Sequence, residues 1–504
     1  MNTVNSNGVS IRLASQSLLY SLGKFGTGLL ALVTTPILTR YLSLEEYGIL
    51  GLMGSVAGFM GYLFHLNASV LFGNDYVTAK SDAERRLVLS TMYFFGLVNS
   101  LVWGVLALTQ SDLLSSAILN AAGYSVYVRV TVLTSMFVSM NVVVISFLQM
   151  SQRVLLYSYI SFASAAANGL LMVIALIFFH VTLIQLMWIG VFVSSGTAIW
   201  YFWTIHTEIR PAFSFNHAWE IVRLGIPTIG HAMAHWVLTS LDLIFLQRFS
   251  TTTDVGLYSF AYKFGFLMHI LAYGFAAAWG PHLTKTLARK SEPEEQSWLI
   301  VRPYKLALAV LSSLGLALTL FVPEAFYLLG PVEYSAAMPA VPWIILGHLF
   351  LILYYGIVNV PQFVKNHRYL PLTTGSAAIC NALLNWWLIP RFGMIAAAMT
   401  TAVSYAFLFA TTLILARLSM RVPIPNLLGL LTIAVQVIVF VVVTSFTDIR
   451  AFSLFSMFIR AAAILTSFGI AFFLMFPGTE GVYLVSSLCS TLRSQKQIQI
   501  SALK

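Results

Sequence analysis

The chain has 504 residues, 59% of them hydrophobic and 9% charged, with a formal net charge of +10 and a mean hydropathy of +0.86. Its apolar residues fall in long runs such as 87–108, 306–322 and 427–445, which reach or approach the ~20 residues a helix needs to cross ~30 Å of hydrocarbon. These features exclude a soluble globule, and connectors of at most about 20 residues leave no room for a soluble catalytic domain. Cys380 and Cys489, the only cysteines, supply neither a disulfide framework nor a thiolate metal site.

In chain order, apolar blocks bounded by polar residues, Pro or Gly predict about fourteen helices: 12–38, 49–72, 87–109, 125–149, 154–180, 182–204, 221–247, 257–280, 301–322, 338–364, 370–389, 394–417, 427–446 and 451–476. The first follows a polar neutral start with Arg12 and is too long for a cleavable signal peptide, so it is expected to be a retained span. The longest polar connectors fall at 205–220 and 282–301. With the N-terminus inside, cytoplasmic segments collect about 18 of the 27 Lys and Arg, whereas outer loops keep Arg40, Arg129, Arg248, Arg391 and Arg450. This bias predicts cytoplasmic N- and C-termini. The positive balance follows from that topology and from anionic headgroups, with no nucleic-acid partner implied.

An internal repeat is offset by 208 residues: Arg40 through Ile49 matches Arg248 through Leu257, with Arg40 and Gly48 aligned to Arg248 and Gly256. Both copies join an odd helix to an even one and lie on the outer side, so the repeat is parallel, with a pseudo-twofold along the membrane normal. Locally, the basic residue is expected to close a helix C-terminus against its dipole and the glycine to let the chain turn tightly; a direct role of Arg40 or Arg248 in substrate release is the alternative. A looser match relates Arg153 and Ser164–Gly169 to Arg368 and Ser376–Asn381. The expected division is an N-lobe at 1–204, a linker at 205–220, a C-lobe at 221–420, two added helices within 421–476 and a cytoplasmic tail at 477–504. The fold class is therefore an all-α polytopic membrane protein with two six-helix lobes.

The segments Leu38 through Leu42, Glu46-Tyr47-Gly48 and Asn381 through Ala398, together with helix number and repeat, resemble the multidrug/oligosaccharidyl-lipid/polysaccharide (MOP) exporter superfamily, specifically its polysaccharide-transport branch with the Wzx-type O-antigen flippases. The resemblance covers essentially the whole chain. It implies two six-helix bundles that alternate access and flip an undecaprenyl-diphosphate-linked oligosaccharide, for O-antigen, capsule or exopolysaccharide, across the inner membrane. It also implies a cationic cavity, which suits a diphosphate that leaves water and needs fixed counter-charge.

Several residues qualify for that cavity. On predicted helix 1, Ser17, Tyr20, Lys24, Gly28, Ala31 and Thr35 share one small or polar face. Lys24 lies too far from either helix end to snorkel, so it is expected to face the cavity; a packed, paired lysine is the alternative. Lys263 is the matching candidate on helix 8. On helix 7, Thr228, His231, His235 and Asp242 fall within one arc beyond Gly225 and Pro227. Asp242 is read as a salt-bridge partner of Lys263, as a proton or Na⁺ coupling site, or as a structural helix-end acid. His231 and His235 have metal-like spacing, but Ala232 stands where a zinc-peptidase helix has Glu, so no metal is expected. Arg223 is either a cytoplasmic anchor or a phosphate contact at the entrance. No nucleotide-binding loop or other cofactor motif is present, leaving the H⁺, Na⁺ or cargo gradient as the source of coupling.

The favoured reading is thus a flippase and not an enzyme, acting as a monomer on a lipid-linked oligosaccharide among membrane lipids, with polysaccharide polymerase and assembly proteins as further partners. The alternatives are a cation-coupled multidrug exporter of the same fold, which calls for acidic cavity residues, and a membrane polysaccharide polymerase, which calls for a large catalytic loop.

Overall fold

The computed structural model describes residues 28, 30–66, 75–76, 78–119, 122–151, 153–289, 292–446 and 454–477. Among them, residues 30–41 are helical and twelve long helices follow: α1 (Leu44–His65), α2 (Asp82–Thr109), α3 (Ser125–Met150), α4 (Val154–Phe179), α5 (Leu183–Ile205), α6 (Phe215–Phe249), α7 (Thr252–Ala288), α8 (Pro293–Leu320), α9 (Val341–Ile357), α10 (Leu370–Ser419), α11 (Asn426–Phe446) and α12 (Leu454–Met475). Each of the twelve contains or belongs to a segment long and apolar enough to cross a membrane. The 50-residue α10 is two helices joined by a sharp break at Gly393, with φ 57° and ψ −137°, a region that L-residues with a Cβ avoid; the chain folds back there, so that Thr400 beyond the break meets Asn385 before it. The chain is an all-helical, multi-pass membrane protein, and predicted helices 2 to 14 are all present; most of helix 1 lies outside the described residues.

The sequence signals at the helix starts act as expected. Ser43 and Glu46 form a reciprocal capping box at α1, Thr182 and Gln185 do the same at α5, and Ser81 and Ser214 cap α2 and α6 by accepting from Glu84 and His217 amides. One expected boundary is overturned. The polar stretch at 282–301 is not a long connector, since α7 continues to Ala288 and α8 begins at Pro293. Hydropathy registers only the part of a helix inside hydrocarbon, whereas Pro293 at the first turn with Glu294 and Glu295 behind it favours helix in water. Likewise, the connector after α5 shortens to 206–214, because Ser214 starts α6 early.

The chain divides into two compact units. One comprises Met1–Lys263, Phe326–Ala340 and Pro371–Ser404; the other comprises Phe264–Ala325, Val341–Leu370 and Tyr405–Lys504. In the first unit, α3 packs against α1, α2 and α5, around a core that includes Leu89, Val144, Phe147, Ile160 and Tyr201. Since lipid offers no hydrogen bonds, polar side chains there find partners between helices. Asn99 of α2 donates to the Leu63 and Phe64 carbonyls at the end of α1 (2.8 and 2.7 Å), and Ser100 meets Ser139 of α3 at 2.7 Å.

In the second unit, α8 packs against α9, α11 and α12. Gln436 of α11 donates to Ser312 of α8 (3.4 Å) and accepts from Ser467 of α12 (2.6 Å). The fully buried Arg460 of α12 pairs with Glu324 at 2.6 Å and donates to the Leu320 carbonyl at 3.3 Å. A buried ion pair adds little net stability, but removing one partner costs about 3–5 kcal/mol. The pair therefore fixes the register of α12.

Candidate functional site

The α6–α7 hairpin builds the site. The chain turns at Ser250, whose amide donates to Leu246, and Thr251, whose hydroxyl accepts from the Asp254 amide at 3.1 Å. The two helices then run antiparallel, which brings Asp242, two turns before the end of α6, against Tyr258, two turns into α7. The Tyr258 hydroxyl donates to the Asp242 carboxylate at 2.5 Å, and the Thr401 hydroxyl of α10 approaches the same oxygen at 3.4 Å. The other carboxylate oxygen accepts the Leu243 amide at 2.9 Å. Asp242 is 2% exposed and Tyr258 fully buried. An acid buried in a membrane span is costly unless its oxygens are satisfied, and here hydroxyl and amide donors meet both of them.

Next to Thr401, α10 carries a buried polar row on both sides of the Gly393 break. Asn385 donates to Asn381 at 3.0 Å, and the single hydroxyl proton of Thr400 has both the Asn385 side chain and the Ala397 carbonyl (2.9 Å) within reach, as that of Thr401 has Asp242 and the Ala397 carbonyl (3.0 Å). Asp242 and Lys263 line one cavity of about 250 Å³, together with Tyr47 and Gly51 of α1, Thr239 of α6 and Ser259 and Tyr262 of α7. The two charges do not pair in this structure: Asp242 is held by hydroxyls, and Lys263 makes no ion pair among the described residues. Lys263 thus brings its amine to this space without an acidic partner among the described residues.

The remaining predicted residues are dispersed. Lys24 and Tyr20 lie outside the described residues. Arg223 is exposed near the start of α6, and His231 is exposed three turns before Asp242. His235 is half-buried, and its carbonyl accepts from the Thr239 hydroxyl at 3.1 Å. Neither histidine lines the cavity. Arg40 caps helices as its charge suggested, but on two at once: it donates to Pro36 one turn back and to the Leu328 carbonyl at 3.2 Å, beside Thr39, which donates to Leu329 at 2.7 Å. Arg248 is exposed at the end of α6.

The paired glycines of the repeat require a correction. Gly48 and Gly256 do not turn the chain; each sits inside its helix with ordinary helical backbone, and Gly393 is the positive-φ glycine among the described residues. They face one another where α1 crosses α7. A Cβ on Gly48 would fall on the Thr252 carbonyl oxygen, and a Cβ on Gly256 would fall on the Leu44 carbonyl oxygen. Thr252 and Leu44 are themselves one repeat apart, as are Gly51 and Ser259, the next pair in contact. The helices thus cross about a local twofold axis, and the cavity opens beside that crossing.

Sequence reasoning missed Tyr258, Thr401 and the Asn381–Asn385–Thr400 row. The i, i+4 spacing of Asn381 and Asn385 on an apolar helix was the available signal, whereas nothing in the sequence ties Tyr258 or Thr401 to Asp242.

The comparisons with known proteins agree with this architecture. Residues 13–287 match the family described as polysaccharide biosynthesis protein. Protein 1 of the Lsg locus of Haemophilus influenzae is 21% identical over 288 residues, covering 56% of this chain and 68% of that protein. The lipid II flippase MurJ in an inward closed conformation superposes with a TM-score of 0.68 at 16% identity, over 91% of this chain and 99% of that one. An inward-facing multidrug resistance MATE family transporter of the MOP superfamily superposes with a TM-score of 0.63 at 13% identity, over 79% of this chain and 94% of that one. With more than half of its length matched and its helices following the transporter fold, the chain belongs to the polysaccharide biosynthesis protein family.

Proposed function

We propose that the protein is a flippase, and not an enzyme, that moves an undecaprenyl-diphosphate-linked oligosaccharide from the cytoplasmic to the outer leaflet of the inner membrane by alternating access of lobes 1–204 and 221–420. The observation that carries this reading is Lys263, an unpaired cation among the described residues, lining a cavity inside the spans of a polysaccharide biosynthesis family member. A diphosphate entering such a space finds a fixed counter-charge that strengthens as water is excluded. Lys24 and Tyr20 are assigned to the same task on the opposite lobe. Asp242, with the Tyr258 hydroxyl on it and that of Thr401 within reach, binds the coupling proton or Na⁺.

The expected outcome for Lys263→Glu is normal membrane accumulation with loss of surface polysaccharide and of flipping of the lipid-linked sugar in proteoliposomes, while Lys263→Arg keeps partial activity. Normal polysaccharide at normal protein level in Lys263→Glu rejects the cationic-cavity reading. Drug efflux driven by a cation gradient, lost in Asp242→Asn but unchanged in Lys263→Glu, identifies the exporter instead. For orientation, reporter fusions after Tyr47, Thr252 and Tyr334 are expected to read periplasmic, and fusions after Arg86, Lys290 and Arg368 cytoplasmic; a cytoplasmic signal at Tyr47 and Thr252 overturns the topology.

A further inference from the structure

At the end of the first unit that holds the starts of α2 and α4 and the ends of α3 and α5, a second cleft of about 250 Å³ is lined by Tyr76, Asp82, Arg85, Arg86, Phe147 and Glu208. It lies directly on the apolar core, since its floor residue Phe147 belongs to that core and Tyr76 packs edge-on against Phe147 with ring centroids 5.7 Å apart. Arg85 and Arg86 line it, and Arg153 reaches its edge through Phe147 and Glu208. Arg85 lies 5.9 Å from the Tyr76 ring centre, Arg153 lies 5.5 Å from that of Phe147, and Arg86 stands between α2 and the 206–214 connector. Glu208 joins two of them, reaching Arg86 Nε at 3.4 Å with one oxygen and Arg153 at 3.3 Å with the other; Arg85 contacts the 89%-exposed Asp82 at 3.3 Å.

Each of these contacts is single-point and longer than the 2.7–2.9 Å typical of a charge-assisted hydrogen bond. A guanidinium has five donors, so among the described residues the carboxylates engage one nitrogen of each arginine. One carboxylate between Arg86 of α2 and Arg153, just before α4, marks the point where two cations from different segments meet a single anion. It sits on a connector, not a helix, so it can swing out without unwinding a span. Burial raises the Tyr76 phenol above its ordinary range, against the pull of Arg85. The depth is also right, because the apolar spans end here and headgroup phosphates begin.

We propose that this cleft binds the phosphate of an anionic phospholipid headgroup, with Glu208 as the internal anion that the phosphate displaces. Arg85 and Arg86 then face the phosphate, Arg153 is released from Glu208 at its edge, and the fatty acyl chains follow the exposed apolar side chains of α2 and α4.

The test uses the purified full chain in detergent, titrated with phosphatidylglycerol or phosphatidylcholine and read by native mass spectrometry, with gel filtration confirming the fold of each variant. Wild type is expected to retain phosphatidylglycerol in preference to phosphatidylcholine. Arg86→Gln and Arg153→Gln are each expected to weaken that retention about tenfold, with Arg129→Gln, whose partner Asp112 lies elsewhere, unchanged. Glu208→Gln separates binding from scaffolding: removing the competing anion is expected to tighten phosphatidylglycerol several-fold, whereas a network that only ties helices together predicts no gain. Equal retention of the two lipids, unchanged retention in both arginine variants, or weaker binding by Glu208→Gln overturns the proposal. Inorganic phosphate added to the phosphatidylglycerol complex is expected to compete only weakly; full displacement at millimolar phosphate identifies a free phosphate as the ligand and rejects the lipid source.

Discussion

Asp242→Asn is expected to cut flipping in proteoliposomes by about 100-fold or more, the equivalent of ~2.7 kcal/mol, and to remove its dependence on the proton or Na⁺ gradient while the protein still folds. Asn keeps an oxygen that accepts from Tyr258 and Thr401, so the hydroxyl contacts at 2.5 and 3.4 Å survive in kind. What disappears is the negative charge, and with it the capacity to take up a proton or a cation in a space that excludes water. The double variant Asp242→Asn/Lys263→Gln sharpens the reading. A functional salt bridge predicts that neutralising both partners restores activity, because neither charge is then stranded. The hydroxyl cage around Asp242 instead predicts no rescue. Wild-type, gradient-dependent flipping by the single variant returns Asp242 to a structural role.

Gly48→Ala and Gly256→Ala are expected to destabilise the protein by about 1–3 kcal/mol each, and the leucine variants to prevent stable accumulation in the membrane. The obstacle to either Cβ is a backbone carbonyl on the partner helix, Thr252 or Leu44, and backbone cannot rotate away as a side chain can. Close crossing of helices in lipid depends on small residues at such points. Gly54 and Gly61 of the same helix provide the control, because a Cβ there meets nothing within 4 Å. Alanine at those two positions is expected to be neutral or slightly stabilising, since it removes backbone entropy from the unfolded chain. The measurements are membrane abundance and the thermal midpoint in detergent; Gly48→Ala matching Gly54→Ala rejects the crossing as an energetic constraint.

The repeat shows how far the primary structure reached. The alignment of Arg40 with Arg248 and Gly48 with Gly256 was legible, whereas the direct contact of the two copies was not. The reason for the glycines was not, because a residue that permits a turn and one that permits a crossing look the same in a string of letters. The polar stretch at 282–301 was misread for a related reason: hydropathy measures where hydrocarbon ends, and α7 and α8 continue past that depth.

What the sequence alone determined is set by solvent. Twenty-residue apolar runs must be helices in a bilayer, charges at their ends bias orientation, and an isolated Asp or Lys within a run must face something other than lipid. Those rules are local or nearly so, and they located the spans, Asp242 and Lys263. Tertiary structure alone decided which partners these residues meet. Asp242 faces Tyr258 because the α6–α7 hairpin turns at Ser250 and Thr251, and it faces Thr401, 159 residues away, because the break at Gly393 returns α10 past it. Likewise Glu208 joins Arg86 and Arg153 only because four helix ends meet at one side of the first unit. Such contacts depend on helix crossing and register, which small residues and buried polar pairs fix at long range, and no periodicity in the chain encodes them.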